Sequence, residues 1–148
     1  MGFTRRARLP ALSAPTVMRV KVVDASAIAA LLFGEPEADA IARRLGDARL
    51  VATALLRFEL ANVCLIKARR HPDQEPELTA AFRLRDRLAV KEVAVDHDGT
   101  LELAATTGLT AYDASYLWLA QKLGAELITL DKQLAKAEAA SSQSRGSI

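Results

Sequence analysis

Four acidic residues, Asp24, Glu59, Asp113 and Asp131, stand in sequence surroundings that are otherwise largely apolar. Asp24 ends the valine-rich run RVKVVD, and Asp131 follows the run ELITL. Glu59 lies within ALLRFELANVCLIK, and Asp113 lies in the first turn of the segment TAYDASYLWLAQKLG. Burying an unpaired carboxylate is costly, so a group of like charges is stable only with cations among them. The pattern therefore predicts a cation site.

The ligand chemistry narrows the choice of cation. Carboxylate oxygens without Cys or His ligands favour hard cations, which makes Mg²⁺ or Mn²⁺ the expected occupant and disfavours zinc. Such ions lower the pKa of a bound water and stabilise the attacking and leaving oxygens of an in-line phosphoryl displacement. Hydrolysis of a phosphodiester is the reaction that this ligand set favours.

Each acid also has a purely structural interpretation. Asp24 fits a turn after a strand, and Asp131 fits the cap of the last helix. Thr110 and Asp113 resemble a capping box, in which the acid also favours the positive end of the helix. Glu59 could instead meet a distant arginine. Taken singly these interpretations are as good as the catalytic one, but four independent coincidences are needed to explain all the acids.

Strands and helices alternate along the chain, as positioning these acids requires. Short runs rich in β-branched residues predict strands at 19–24, 50–53, 90–95 and 126–130. Ser26 is predicted to cap a first helix over IAALLF, and the amphipathic segments predict further helices at 36–45, 55–70, 75–88, 96–107, 110–123 and 132–139. Asp96 is predicted to cap the helix at 96–107.

This alternation predicts an α/β fold, a three-layer α/β/α sandwich with a central parallel sheet. Ligands of such sheets bind beyond the carboxyl ends of the strands, where Asp24 and Asp131 are expected to meet. Tyr116 and Trp118 are interpreted as core residues whose polar tips turn outward.

One domain is expected from the length of 148 residues. Residues 1–17 are interpreted as an N-terminal extension outside the fold, residues 18–140 as the domain, and residues 141–148 as a disordered tail. The extension carries Arg5, Arg6 and Arg8 and no acid, so the excess of 20 basic over 18 acidic residues does not indicate a basic surface on the domain. The single cysteine and the absence of a signal peptide or membrane span predict a cytoplasmic protein.

Most of residues 18–137 resemble PIN-domain ribonucleases of the VapC toxin type. VVDASAIAALL is similar to the opening strand of the family with its metal-binding aspartate, and FELANV is similar to its glutamate helix, including Asn62. LTAYDASYLWLAQKLGAELITLDKQLAKA resembles the most diagnostic segment of the family, and the order and spacing of the three motifs are specific.

The resemblance implies a divalent-metal endoribonuclease that uses the four carboxylates, with Ser26, Asn62 and Thr129 in supporting roles. It also implies an RNA substrate, a cognate VapB-like antitoxin and a homodimer. Family members carry another short strand after the last helix, and here that edge strand is expected to be missing because LAKAEAA passes into SSQSRGSI.

Two other functions remain open at this point. One is a PIN-like module that binds RNA or protein without cutting, although it would not need all four acids. The other is a phosphotransferase with Asp24 as nucleophile. That alternative leaves Glu59 without a purpose, and VVDAS lacks a second aspartate two positions after the first.

Overall fold

The structure is a computed structural model that describes residues 19–146, with side chains described as far as residue 143. The N-terminal extension predicted at 1–17 lies outside the described residues. Within residues 19–146 the strands, in chain order, are β1 Val20–Val23, β2 Arg49–Thr53, β3 Lys91–Val93 and β4 Glu126–Ile128. The α-helices of this range are α1 Ala25–Leu32, α2 Ala38–Leu45, α3 Leu56–Arg70, α4 Glu75–Arg83, α5 His97–Thr107, α6 Ala111–Leu123 and α7 Lys132–Gly146.

All strand pairs in the sheet are parallel, and the strand order is β3-β2-β1-β4. The central strand β1 places Val23 opposite Ile128 of β4. Parallel strands end at the same edge of a sheet, so the residues that follow β1 and β4 emerge side by side. The predicted α/β/α fold is confirmed, and its sheet brings Asp24 and Asp131 to one edge.

Helices cover the sheet and build the core with it. α6 packs across β1, β2 and β4, while α2 and α7 also contact β4. Most of the largest fully buried side chains are aromatic or aliphatic, among them Tyr116 of α6, Ile28 of α1, Ile41 of α2, Leu60 of α3 and Leu134 of α7. Buried residues of both α1 and α6, the helices that carry or follow Asp24 and Asp113, belong to this core.

The cap of α1 differs from the prediction. Asp24, in an extended conformation, is the N-cap residue, and its side chain accepts a hydrogen bond from Ala27 N. Ser26 lies inside the first turn and donates to Asp24 instead. The prediction for α5 is confirmed, since the Asp96 side chain accepts from Gly99 N at 2.7 Å.

Several predicted elements are shorter in the structure. β4 ends at Ile128 rather than at residue 130 because the next backbone N–H groups bind side chains: Leu130 N donates to Ser26 Oγ and Asp131 N donates to Thr129 Oγ1. The helix predicted at 75–88 ends at Arg83 and continues as a 3₁₀ turn that closes at Ala89, a residue with a positive φ of 53°.

The C-terminal prediction needs the largest correction. Residues 141–146 of the segment expected to be a disordered tail are helical, and α7 continues to Gly146. The run AEAASSQS lies within this helix. Gln121 Nε2 on α6 donates to Ser141 Oγ at 3.0 Å, and this hydrogen bond connects the C-terminal part of α7 to the rest of the domain. Within residues 19–146 no strand follows β4, so β4 forms one edge of the described sheet. None of the helices in this range is long and apolar enough to cross a membrane.

Candidate active site

Asp24 is the most buried of the four acids, with 4% of its surface exposed, and both of its carboxylate oxygens are hydrogen-bonded. Ser26 Oγ donates to Oδ1 at 2.7 Å, and Thr129 Oγ1 donates to Oδ2 at 2.5 Å. Ala27 N donates to Oδ1 as well. These donors stabilise the carboxylate, but burial has the larger effect and raises the pKa of Asp24, as does the negative charge of Asp131.

Thr129 connects the ends of β1 and β4. Its hydroxyl donates to Asp24 Oδ2 and accepts from Asp131 N at 2.9 Å, so it fixes two of the predicted acids at once. Asp131 Oδ1 accepts from Leu134 N at 2.9 Å, which confirms that this acid caps the last helix. Capping uses one oxygen, and the hydrogen bonds of the described residues leave Oδ2 without a donor.

Glu59 reaches the same region from α3. It is half-buried, and Oε1 accepts a hydrogen bond of 2.7 Å from the Tyr116 hydroxyl. Burial raises the pKa of Glu59 despite this donor, and the charges of Asp24 and Asp113 raise it further. The pKa of Tyr116 is also raised, first by burial and then by Glu59, so the phenol keeps its proton and acts as a donor.

Asp113 lies in the first turn of α6. Its backbone N–H donates to Thr110 Oγ1 at 3.1 Å, so half of the predicted capping box is present. The carboxylate is half-buried, and its pKa is raised by burial and by the charges of Asp131 and Asp24. Thr110 caps the helix through its side-chain oxygen, and its side chain also hydrogen-bonds to the Asp113 carboxylate, which lowers the pKa by less than burial and the neighbouring charges raise it.

The pKa values of three of the four acids are raised by the charges of others in the group, as expected for carboxylates that lie near one another at the edge of the sheet. The charge of Asp131 raises the pKa of Asp24, and the charges of Asp24 and Asp113 raise the pKa of Glu59. The charges of Asp131 and Asp24 raise the pKa of Asp113. Among residues 19–143, no Lys or Arg forms an ion pair with any of the four. An uncompensated cluster of this kind attracts cations.

The donor set fits a hard divalent cation by its chemistry, because it consists of oxygen atoms that carry uncompensated negative charge. Within the described part of the chain, however, no three His, Cys, Asp or Glu side chains lie close enough together to hold an ion as they stand. Ion binding therefore requires the carboxylates to approach one another more closely than they do in this structure.

Among the supporting residues of the prediction, Ser26 and Thr129 lie at the centre of the site, whereas Asn62 is exposed on α3 and has no part in these hydrogen bonds. The interpretation of Tyr116 was half wrong: the ring is in the core, but its hydroxyl points inward to Glu59. Thr53 was not predicted to belong to the site. It is buried at the carboxyl end of β2, and its position at a strand end is the sequence feature that could have identified it.

We expect Thr129→Val to lower the free energy of unfolding by about 1–3 kcal/mol. The substitution keeps the shape of the side chain but removes the donor to buried Asp24 Oδ2 and the acceptor of Asp131 N. Urea denaturation measures the change. Thr106→Val is the matched control, since the Thr106 hydroxyl is exposed and binds only carbonyls of its own helix, and it should stay within about 0.5 kcal/mol of the parent. Equal losses from both substitutions would contradict the prediction.

A family model for the PIN domain matches residues 21–140, a span that contains all four acids. Ribonuclease VapC3 of Pyrobaculum aerophilum is 38% identical over 120 residues, which cover 78% of this chain and 92% of that protein. A protein named a ribonuclease is therefore similar to most of this chain.

Solved structures show the same fold. The crystal structure of PAE2754 from Pyrobaculum aerophilum superposes with a TM-score of 0.65 at 26% identity, covering 80% of this chain and 84% of that one. Mycobacterium tuberculosis VapC20, named as a toxin that cleaves the sarcin-ricin loop, superposes with a TM-score of 0.55 at 19% identity over 79% of this chain and 94% of its own. From the family match and the identity to VapC3, together with the parallel sheet and its acidic edge, we conclude that this chain belongs to the PIN domain family.

Proposed function

We propose that this protein is a divalent-metal-dependent endoribonuclease that hydrolyses RNA at the carboxylate cluster. The observation that carries the proposal is the convergence of Asp24, Glu59, Asp113 and Asp131 at one sheet edge without a basic partner among the described side chains. The 38% identity to a protein named a ribonuclease supports the same reaction.

The four acids differ in burial, and their roles in metal binding differ accordingly. Asp24 is immobilised by Ser26 and Thr129 and serves as the fixed ligand. Glu59, held by the Tyr116 hydroxyl, and Asp113 complete the site, and Asp131 offers the oxygen that does not cap α7. Mg²⁺ or Mn²⁺ bound there would lower the pKa of a water molecule and stabilise charge on the phosphodiester oxygens.

Asp24 does not suit the role of a phosphotransferase nucleophile. A nucleophilic carboxylate needs an oxygen exposed to the phosphoryl group, but Oδ1 and Oδ2 both accept hydrogen bonds and the side chain is almost fully buried. A fixed ligand, in contrast, benefits from this immobilisation.

The test is cleavage of a mixed RNA pool by the purified protein with Mg²⁺ or Mn²⁺, against the same reaction with EDTA. We expect cutting that requires the metal and returns when excess metal is restored. Intact, folded protein freed of any partner that leaves the RNA uncut at every metal concentration would overturn the proposal in favour of a PIN-like module that binds without cutting.

We further propose that the protein is the toxin of a toxin–antitoxin pair and acts in the cytoplasm, held inactive by a VapB-like antitoxin. The identity to VapC3 and the fold of the toxin VapC20 support this role. Expression of the chain alone should arrest growth, and expression of the gene next to its own should restore it. Unimpaired growth with active protein present would contradict the role.

A homodimer is also proposed. Phe58, Leu65 and Ile66 lie on one side of α3, since residues seven and eight positions apart share a helical face, and their exposed fractions are 78%, 44% and 40%. Exposed apolar side chains in a row are typical of a protein interface. Sedimentation equilibrium of the purified chain measures the state directly, and a monomer at micromolar concentration would contradict the proposal.

A further inference from the structure

Tyr116 joins two of the helices that supply the carboxylates. It lies on α6 three residues after Asp113, and it is fully buried. Its hydroxyl donates to Glu59 Oε1 of α3, a residue 57 positions earlier in the chain, at 2.7 Å. The helix that provides one acid of the site therefore also holds a second acid that comes from another helix.

Glu59 needs such a restraint more than the other acids do. Its side chain has three rotatable bonds, and fixing them costs conformational entropy. Asp24 is held by Ser26, Thr129 and Ala27, whereas the described hydrogen bonds of the Glu59 carboxylate consist of the one from Tyr116. The charges of Asp24 and Asp113 act on Glu59, so repulsion favours rotamers that move it away from the site.

We propose that Tyr116 is a positioning residue for Glu59, whose phenol holds the carboxylate in place to bind a divalent cation at the acidic edge. The inference rests on the proposed function. Because the phenol engages Oε1, Oε2 is left to the cation. The hydroxyl acts through Glu59 and touches neither RNA nor the reacting atoms.

Packing alone does not account for a tyrosine at this position. Phenylalanine would fill nearly the same volume in the core, and a buried hydroxyl costs free energy unless it is hydrogen-bonded. That hydroxyl donates to the carboxylate of Glu59 and also forms a hydrogen bond with the side chain of buried Thr53. A purely structural tyrosine would serve equally well with its hydroxyl on a backbone carbonyl.

The experiment compares Tyr116→Phe with Tyr112→Phe in the full chain. Tyr112 is the other tyrosine of the protein, lies on the same helix and is 63% exposed, which makes it a matched control for losing a phenol oxygen. Binding of Mn²⁺ alone is measured by the loss of its free-ion electron paramagnetic resonance signal. RNA cleavage is measured as a function of Mn²⁺ concentration.

We expect Tyr116→Phe to raise the Kd for Mn²⁺ about tenfold, within the range typical of partners that orient metal ligands, and Tyr112→Phe to leave it unchanged. The Mn²⁺ concentration for half-maximal cleavage should rise by the same factor, while kcat at saturating Mn²⁺ should fall by less. A merely structural role would lower thermal stability without moving the Kd.

A double-mutant cycle makes the inference independent of any loss of stability. If Tyr116 acts through Glu59, Tyr116→Phe should not weaken Mn²⁺ binding further in a Glu59→Gln background. An equal loss in both backgrounds, or a parental Kd in Tyr116→Phe, would overturn the inference. A parent protein that binds no Mn²⁺ and cuts no RNA would instead overturn the proposed function, so the two failures are distinguishable.

Discussion

Asp113→Asn should reduce metal-dependent RNA cleavage by at least about 100-fold, since residues that merely orient metal ligands already contribute 10- to 100-fold. Asparagine has the same size but supplies a neutral oxygen in place of a carboxylate. The loss is measured as kcat/KM on a defined single-stranded RNA at saturating Mg²⁺. A loss in kcat that added metal does not restore would show that the charge is needed in the transition state as well as for binding.

The substitution should leave the fold intact, which is what makes it informative. Thr110 accepts from the backbone N–H of residue 113, and asparagine keeps that bond. The free energy of unfolding should stay within about 1 kcal/mol of the parent. Asp98→Asn is the matched control, because Asp98 lies in the first turn of α5 just as Asp113 does in α6. Comparable loss of cleavage in both variants, or full cleavage by Asp113→Asn, would contradict the assignment.

The architecture was predictable because its signals are local and repeated. Valine-rich runs, glycines at helix ends and alternating amphipathic segments all point to one parallel sheet, and parallel sheets place strand-end residues at a common edge. Asp24 and Asp131 could therefore be paired from the sequence. Gly108 and Gly124 end α5 and α6 with φ angles of 77° and 61°, a backbone conformation that favours glycine and marks both ends in the sequence.

Tertiary hydrogen bonds explain what was not predictable. β4 stops at Ile128 because the backbone N–H of Leu130 donates to Ser26, which lies 104 positions earlier in the chain. The Tyr116 hydroxyl points inward because it binds Glu59. The periodicity of apolar residues along α6 shows only that the ring is buried. The C-terminal part of α7 contacts α6 through the hydrogen bond from Gln121 to Ser141. In each case the deciding partner is far away in the chain, where no local pattern registers it.

Divalent cations should stabilise the protein strongly at neutral and alkaline pH and scarcely at acid pH. A ligand that binds only the folded state at about 100 times its Kd adds about 2.7 kcal/mol, which corresponds to a rise of about 5–10 °C in Tm for a domain of this size. We expect this rise in Tm with Mn²⁺ at about pH 8, and we expect it to disappear at about pH 4, where carboxyl groups take up protons.

The direction of this pH dependence follows from the raised pKa values of Asp24, Glu59 and Asp113. The folded protein holds these protons more tightly than the unfolded chain, whose ordinary values are 3.8 for Asp and 4.5 for Glu. The resulting stabilisation is complete below those values and is lost as the pH rises through the raised ones. Repulsion among the ionised carboxylates then destabilises the metal-free fold, and a cation that binds them relieves it.

Differential scanning fluorimetry across this pH range, with Mn²⁺ or with KCl at matched ionic strength, measures both parts of the prediction. Asp24→Asn should abolish the response to Mn²⁺, because it removes the charge of the most buried of the four acids. A Tm increment that is the same at acid and alkaline pH, or that survives Asp24→Asn, would place the bound ion elsewhere on the protein. An increment that tracks deprotonation and disappears with Asp24 would identify the acidic edge of the sheet as the metal site even before an RNA target is known.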